Sequence, residues 1–132
     1  MPVTSEDIYG LGTELSKLGN EAATRAAIGR QYYAAYHKCR SWHEALSHPG
    51  NSVMRGVNAG AHLQLISSLQ YPDAALPASV RQRSKFLGAK LDILRIRRHW
   101  ADYDIQESVK AGEPENQEKV AAAVMQDCDR AY

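Results

Sequence analysis

EAATRAAIGRQYYAAYHKCRSWHEALSH, residues 21–48, is the longest uninterrupted helical pattern in the first half of the chain. Apolar and aromatic residues recur through it at spacings of three and four, the repeat of an α-helix, and no proline interrupts them. Asn20 offers a side-chain oxygen to the open N–H groups of the first turn. Pro49 and Gly50 end the run by His48, because proline clashes with a continuing helix. Nowhere does the chain alternate β-branched and aromatic residues with the period of two that marks a strand. The stretch therefore places the protein in the all-α class.

Working outward, Thr4 or Ser5 is the expected cap of a short first helix that closes near Gly19 and carries Ile8, Leu11, Leu15 and Leu18. Glu6 and Asp7 fall in its first turn, where the helix dipole favours anions. Beyond His48, PGNSVMRGVNAG reads as a loop, AHLQLISSLQ as a short third helix ended by Tyr71 and Pro72, and YPDAALPAS as a second loop. Ser79 is the expected cap of a long fourth helix through RQRSKFLGAKLDILRIRRHWADYDIQESV. GEPEN breaks the chain again, and Pro114 suits the first turn of a fifth helix that runs to the terminus. About five helices, two of them long, fit one up-and-down bundle over residues 1–132, a length that builds a single core.

With 44% hydrophobic residues, 23% charged residues and a formal net charge of +1, the composition is that of a globular domain and names no partner by charge. Cys39 and Cys128 lie far apart in sequence with no metal-type spacing, so free thiols in a reducing compartment are expected, and no zinc site. The start, MPVTSED, lacks a basic segment followed by an apolar one, and no run approaches the roughly 18 apolar residues of a membrane span. A cytoplasmic protein without membrane association is expected.

The chemistry lies on the two long helices. On the fourth, Leu87, Leu91, Leu94, Ile105 and Val109 share one face, and Arg98 and Asp102 fall within or beside it at i, i+4 spacing. Arg95 and His99 extend the polar group along the adjoining edge. One reading makes Arg98–Asp102 a partly buried ion pair that fixes helix register, with His99 solvated beside it. The other makes the group an anion site, in which an arginine fork holds a phosphate and a histidine moves a proton. RNA phosphodiester cleavage needs that combination. On the second helix, Tyr32, Tyr33, Tyr36, Arg40 and His43 gather with Gly29 on one broad side, while Arg30, Tyr33 and His37 share an adjacent one. Those tyrosines read either as core or as a base-stacking surface. Gly29 in mid-helix implies that a backbone or a bulky ring packs close against it.

Two segments carry a family resemblance. RQYYAAYHKCR, from Arg30 to Arg40, resembles the Arg/Ser-x-x-Tyr-Tyr-Ala-Ala-Phe/Tyr-His pattern of a HEPN-domain second helix. LDILRIRRHWADYD resembles the Leu-x-x-Leu-x-x-x-Arg-x-x-Ala-Asp-Tyr segment found late in many HEPN domains. With length and helix count, the resemblance covers roughly residues 5–131. It implies a helical bundle that commonly dimerises, its paired long helices forming a cleft that in many members cuts RNA. Members occur as toxins beside a nucleotidyltransferase-like antitoxin, in phage defence, and as non-catalytic modules that bind RNA or a nucleotide. The family's nuclease motif is Arg, four to six residues, then His on the late helix. Here Arg95 and His99 are separated by three, a non-standard Arg-x3-His. The family spacing occurs instead between Arg30 and His37, and between Arg55 and His62, a pair that crosses a Gly-rich loop and reads as chance. Ala101-Asp102-Tyr103 matches the subgroup whose nuclease motif is often degenerate.

Three functions follow as expectations. The first is a metal-independent endoribonuclease using Arg95 or Arg98 to hold phosphate and His99 for proton transfer, acting as a toxin or phage-defence effector. The second is a non-catalytic module binding RNA, a nucleotide or a partner protein, with Arg30, Tyr33, His37, Asp102 and Tyr103 at the binding surface. The third is a structural accessory subunit. No cofactor is expected, and no metal, because His99 and Asp102 stand apart from any ligand-spaced cluster. A homodimer is expected, with Trp42 or Trp100 at the contact, since both lie off the main stripe of their helices.

Overall fold

The structure, a computed structural model, describes residues 2–50 and 60–130. Five helices account for its regular structure: α1 Ser5–Ser16, α2 Glu21–Glu44, α3 Ala61–Gln70, α4 Ala78–Tyr103 and α5 Glu113–Asp129. The protein is an all-α bundle in which α2 packs against α1, α4 and α5, and α4 packs against α2, α3 and α5. Among the described residues no helix is long and apolar enough to cross a membrane.

The expected start signals act as capping physics demands in the first two helices. Thr4 accepts from the Asp7 N–H while Asp7 accepts from the Thr4 N–H, a reciprocal cap on α1. The Asn20 side chain accepts from the Ala23 N–H at the head of α2. Two expectations for α1 fail, because Leu11 and Leu18 are exposed and the helix seats itself through Gly12 instead. At α4 the cap is also different: Pro77 occupies the position, Ser79 lies inside the helix, and no side chain bonds the first turn.

The core runs between the two long helices. Tyr32, Leu69, Leu87, Leu91, Leu94 and Val124 are fully buried, and each such leucine contributes about 1.5–3 kcal/mol through its loss of water contact. Gln117 threads this interior, donating from Nε2 to the carbonyls of Leu94 at 3.0 Å and Ile28 at 3.3 Å, so α5 is hydrogen-bonded to both α4 and α2. Gly88 marks the closest approach of α4 to α3, where a Cβ would stand 2.9 Å from Gln70 Cγ and 3.1 Å from the Gln70 backbone nitrogen. Ser84 adds a bond there, donating to the Leu69 carbonyl at 2.6 Å.

The fourth helix ends earlier than its periodicity implies. It stops at Tyr103, leaving Ile105 exposed and Val109 half-buried outside the helix. Arg25 of α2 is the cause. Its guanidinium donates to the carbonyls of Ala101 at 2.8 Å, Asp104 at 3.1 Å and Glu107, and so takes up oxygens that a terminating helix leaves open. Glu21 binds Arg25 at 3.2 Å and also accepts from the Val109 N–H at 2.8 Å, which fastens residues 104–109 beneath the start of α2.

The expectation of an exposed indole fails at one of the two tryptophans. Trp42 is buried in the core of this single chain. Trp100 is half-buried with the Arg25 guanidinium 4.9 Å from its ring centre.

Candidate functional site

The polar groups of α4 divide into local pairs. Arg95 binds Asp92 at 3.0 Å, one turn back, and does not join His99. Arg98 Nε lies 2.8 Å from Asp102 Oδ2, yet its N–H makes no hydrogen bond among the described residues. The contact is one of charge and leaves a directed donor on Arg98 unused. Their side chains are 25% and 36% exposed, so Arg98 and Asp102 form the partly buried pair that the helical spacing implies. His99 is exposed, with its ring 4.6 Å from the equally exposed Tyr103.

Arg98 reaches beyond its own helix. Gly29 of α2 leaves a gap that the Arg98 stem occupies, with Arg98 Cγ 4.0 Å from where a Cβ would stand. Neither a backbone nor a bulky ring packs there. The stem therefore lies across α2, and the guanidinium sits 5.3 Å from the ring centre of Tyr33, one turn on from Gly29. Arg30 brings a second guanidinium to the same ring at 5.0 Å. Each is a cation–π contact of about 0.5–2 kcal/mol.

The residue that completes the group comes from α3. His62, in the first turn of that helix, stacks on Tyr36 at 4.1 Å with the rings 13° from parallel. It meets Tyr32 at 5.5 Å and the edge of Tyr33 at 5.8 Å. Its Nδ1 is 2.5 Å from the Tyr32 hydroxyl. Burial above all, and then the charge of Arg98, His37 and Arg95, push its pKa below the usual histidine value. Burial likewise holds the Tyr32 phenol well above its ordinary range. A protonated phenol beside a neutral imidazole donates to Nδ1, so the ring carries its own proton on Nε2 and acts there as a donor. His37 meets Tyr36 edge-on at 5.2 Å and is itself exposed.

Of the residues that the sequence singled out, Arg30, Tyr33 and His37 lie on α2 and Arg98 on α4, and both guanidiniums meet at the Tyr33 ring. Arg95 contributes through its field on His62 and Asp102 is joined to the cluster through Arg98, whereas His99 and Tyr103 form an exposed pair at the end of α4. Tyr32 and Tyr36 are buried and serve as core, while Tyr33 is only partly buried. His62 was missed. Its one signal was the spacing from Arg55, and Arg55 lies outside the described residues. Among the described residues no cluster of three or more His, Cys, Asp or Glu side chains has the geometry of a metal site. What the arrangement can do is hold an anion: two guanidiniums and a fixed imidazole N–H converge from three helices on one aromatic stack. No family model, curated protein or solved structure matches the chain.

Proposed function

We propose that this chain is a HEPN-like domain that binds single-stranded RNA by its phosphates at the α2–α3–α4 cluster. The observation that carries the reading is the meeting of two guanidiniums at one half-buried ring, Arg98 at 5.3 Å and Arg30 at 5.0 Å from the centre of Tyr33. Arginine suits phosphate because its donors are planar and permanently charged. The wider surface of α4 agrees, with seven Lys and Arg residues against Asp92 and Asp102 within Ala78–Tyr103, although the whole chain is nearly neutral.

The test is fluorescence anisotropy with a labelled mixed-sequence RNA at about 50 mM salt, where phosphate contacts are strong. Arg98→Ala and Arg30→Ala should each weaken binding about tenfold and lower the salt slope by about 0.7 per lost contact. Equal affinity of the variants and wild type would remove the reading.

Cleavage is a second reading, favoured by the two histidines that flank Tyr36. His37 is exposed and takes the 2′-hydroxyl proton, His62 Nε2–H donates a hydrogen bond to the phosphate oxygen, and water supplies the proton to the leaving 5′-oxygen. The chain would then act as a toxin or phage-defence effector, and a nucleotidyltransferase-like antitoxin is the partner that role calls for. With chelator present, products ending in 2′,3′-cyclic phosphate should appear with wild type and His99→Ala, and vanish with His62→Ala or His37→Ala. Loss of cutting in His99→Ala alone would return the chemistry to the late helix.

A further inference from the structure

Cys39 and Cys128 are distant in sequence, but the packing of α5 on α2 sets Cys128 against the core cluster that holds Cys39, close enough for the two thiols to influence each other's protonation. Both are free. They differ sharply in access. Cys39 is fully buried in the core, whereas Cys128 is half-buried and lines a cavity of about 640 Å³ between the start of α1, the middle of α2 and the end of α5. Lys38 lies on the cavity wall, held by Glu6 at 2.6 Å and Asp129 at 3.0 Å. The neighbouring Cys128 thiol, and then burial, keep the Cys39 thiol protonated well beyond the usual thiol range. Cys128 thus opens in part onto the cavity, whereas Cys39 is sealed in the core beside it.

We propose that Cys39 and Cys128 form an oxidisable dithiol, with Cys128 the sulfur that meets a peroxide and Cys39 the sulfur that resolves it. In the first step the Cys128 thiolate attacks the peroxide. An S–O bond forms, the O–O bond breaks, and the departing oxygen takes a proton from water, leaving a sulfenic acid on Cys128. The Cys39 sulfur then attacks the Cys128 sulfur. An S–S bond forms, the S–O bond breaks, and hydroxide leaves as water with the Cys39 proton. The two thiols lose two electrons together and the peroxide gains them. The product pins the last turn of α5 to the middle of α2, one turn from Tyr36. This inference does not depend on RNA binding.

The experiment treats the folded full chain with hydrogen peroxide, blocks remaining thiols with N-ethylmaleimide and maps the peptides by mass spectrometry. Wild type should yield a linked Cys39–Cys128 peptide two hydrogens lighter than the free pair, reversed by dithiothreitol. In Cys39→Ser, oxidation should stop at a Cys128 sulfenic acid that dimedone traps. In Cys128→Ser, Cys39 should stay a thiol until the chain is unfolded. A wild-type chain whose methionines oxidise while both cysteines remain reduced would overturn the proposal. So would Cys128–Cys128 links between chains in place of the internal bond, a readout that needs no variant to fold.

Discussion

Burial pushes the pKa of His43 and of His62 below the usual value of 6.5, with the charge of Arg98 assisting at His62 and the Gly50 backbone bond opposing it at His43. In the unfolded chain both bind a proton near pH 6.5, while in the fold they resist it. Their contribution to stability is therefore complete above about pH 6.5 and is lost as pH falls through the lowered native values. Glu6 does not confuse the window, because Lys38 lowers it from a starting value of 4.5 and its effect begins at more acid pH. Denaturant midpoints measured at about pH 7.5 and pH 5.5 should show wild type losing stability on acidification. The double variant His43→Gln/His62→Gln should show a smaller loss, and an equal loss would mean that these rings are not the titrating groups.

Arg25 illustrates how one side chain sets the length of an element. It caps α4 from another helix, and its guanidinium is only 10% exposed. Arg25→Met keeps much of the stem but strands carbonyls at Ala101, Asp104 and Glu107, so a loss of about 2–4 kcal/mol is expected from broken charged bonds in a mostly buried place. Amide exchange should quicken at residues 100–109 well before it does in the middle of α2, and uniform quickening would refute the local role. The same residue explains what was legible. The start of α2 could be read because its signal is local, the Asn20 cap, whereas the helix ends at Glu44, four residues before the His48 that Pro49 allows. The end of α4 could not be read, because DIQES contains no breaker and the stop comes from Arg25, far off in sequence. The candidate site follows the same rule. Arg30, Tyr33, His37 and Arg98 stood out on long periodic helices. His62 sits in a ten-residue helix after a loop, and its importance arises only where α3 meets the tyrosines of α2.

At the scale of the whole molecule, α4 carries a second apolar stripe that the single chain leaves uncovered. Phe86, Ile93, Ile96 and Tyr103 are 39%, 39%, 53% and 65% exposed. With exposed Ala89 and half-buried Trp100 they recur at alternating spacings of three and four residues. That spacing suits the seam of a two-stranded coiled coil, and the stripe lies opposite the buried face of Leu87, Leu91 and Leu94. The flanks say which way a second copy would lie. In a parallel pair Asp92 faces Arg97 across the seam, with Lys85 against Lys90 as the one unfavourable match. An antiparallel pair sets Lys90 against Arg97 and keeps only Asp92 opposite His99. A parallel homodimer through α4 is therefore the expected assembly, and light scattering on the purified chain should report twice the 14.6 kDa monomer mass. Ile93→Glu/Ile96→Glu places charges in the seam and should yield a folded monomer, whereas a dimer that survives it must use another face. Direction is read separately. Ala89→Cys, in a chain whose native cysteines are serine, should form a symmetric disulfide in the parallel pair, because equal positions meet there. In the antiparallel pair Ala89 meets Trp100, and the same cysteines stay reduced.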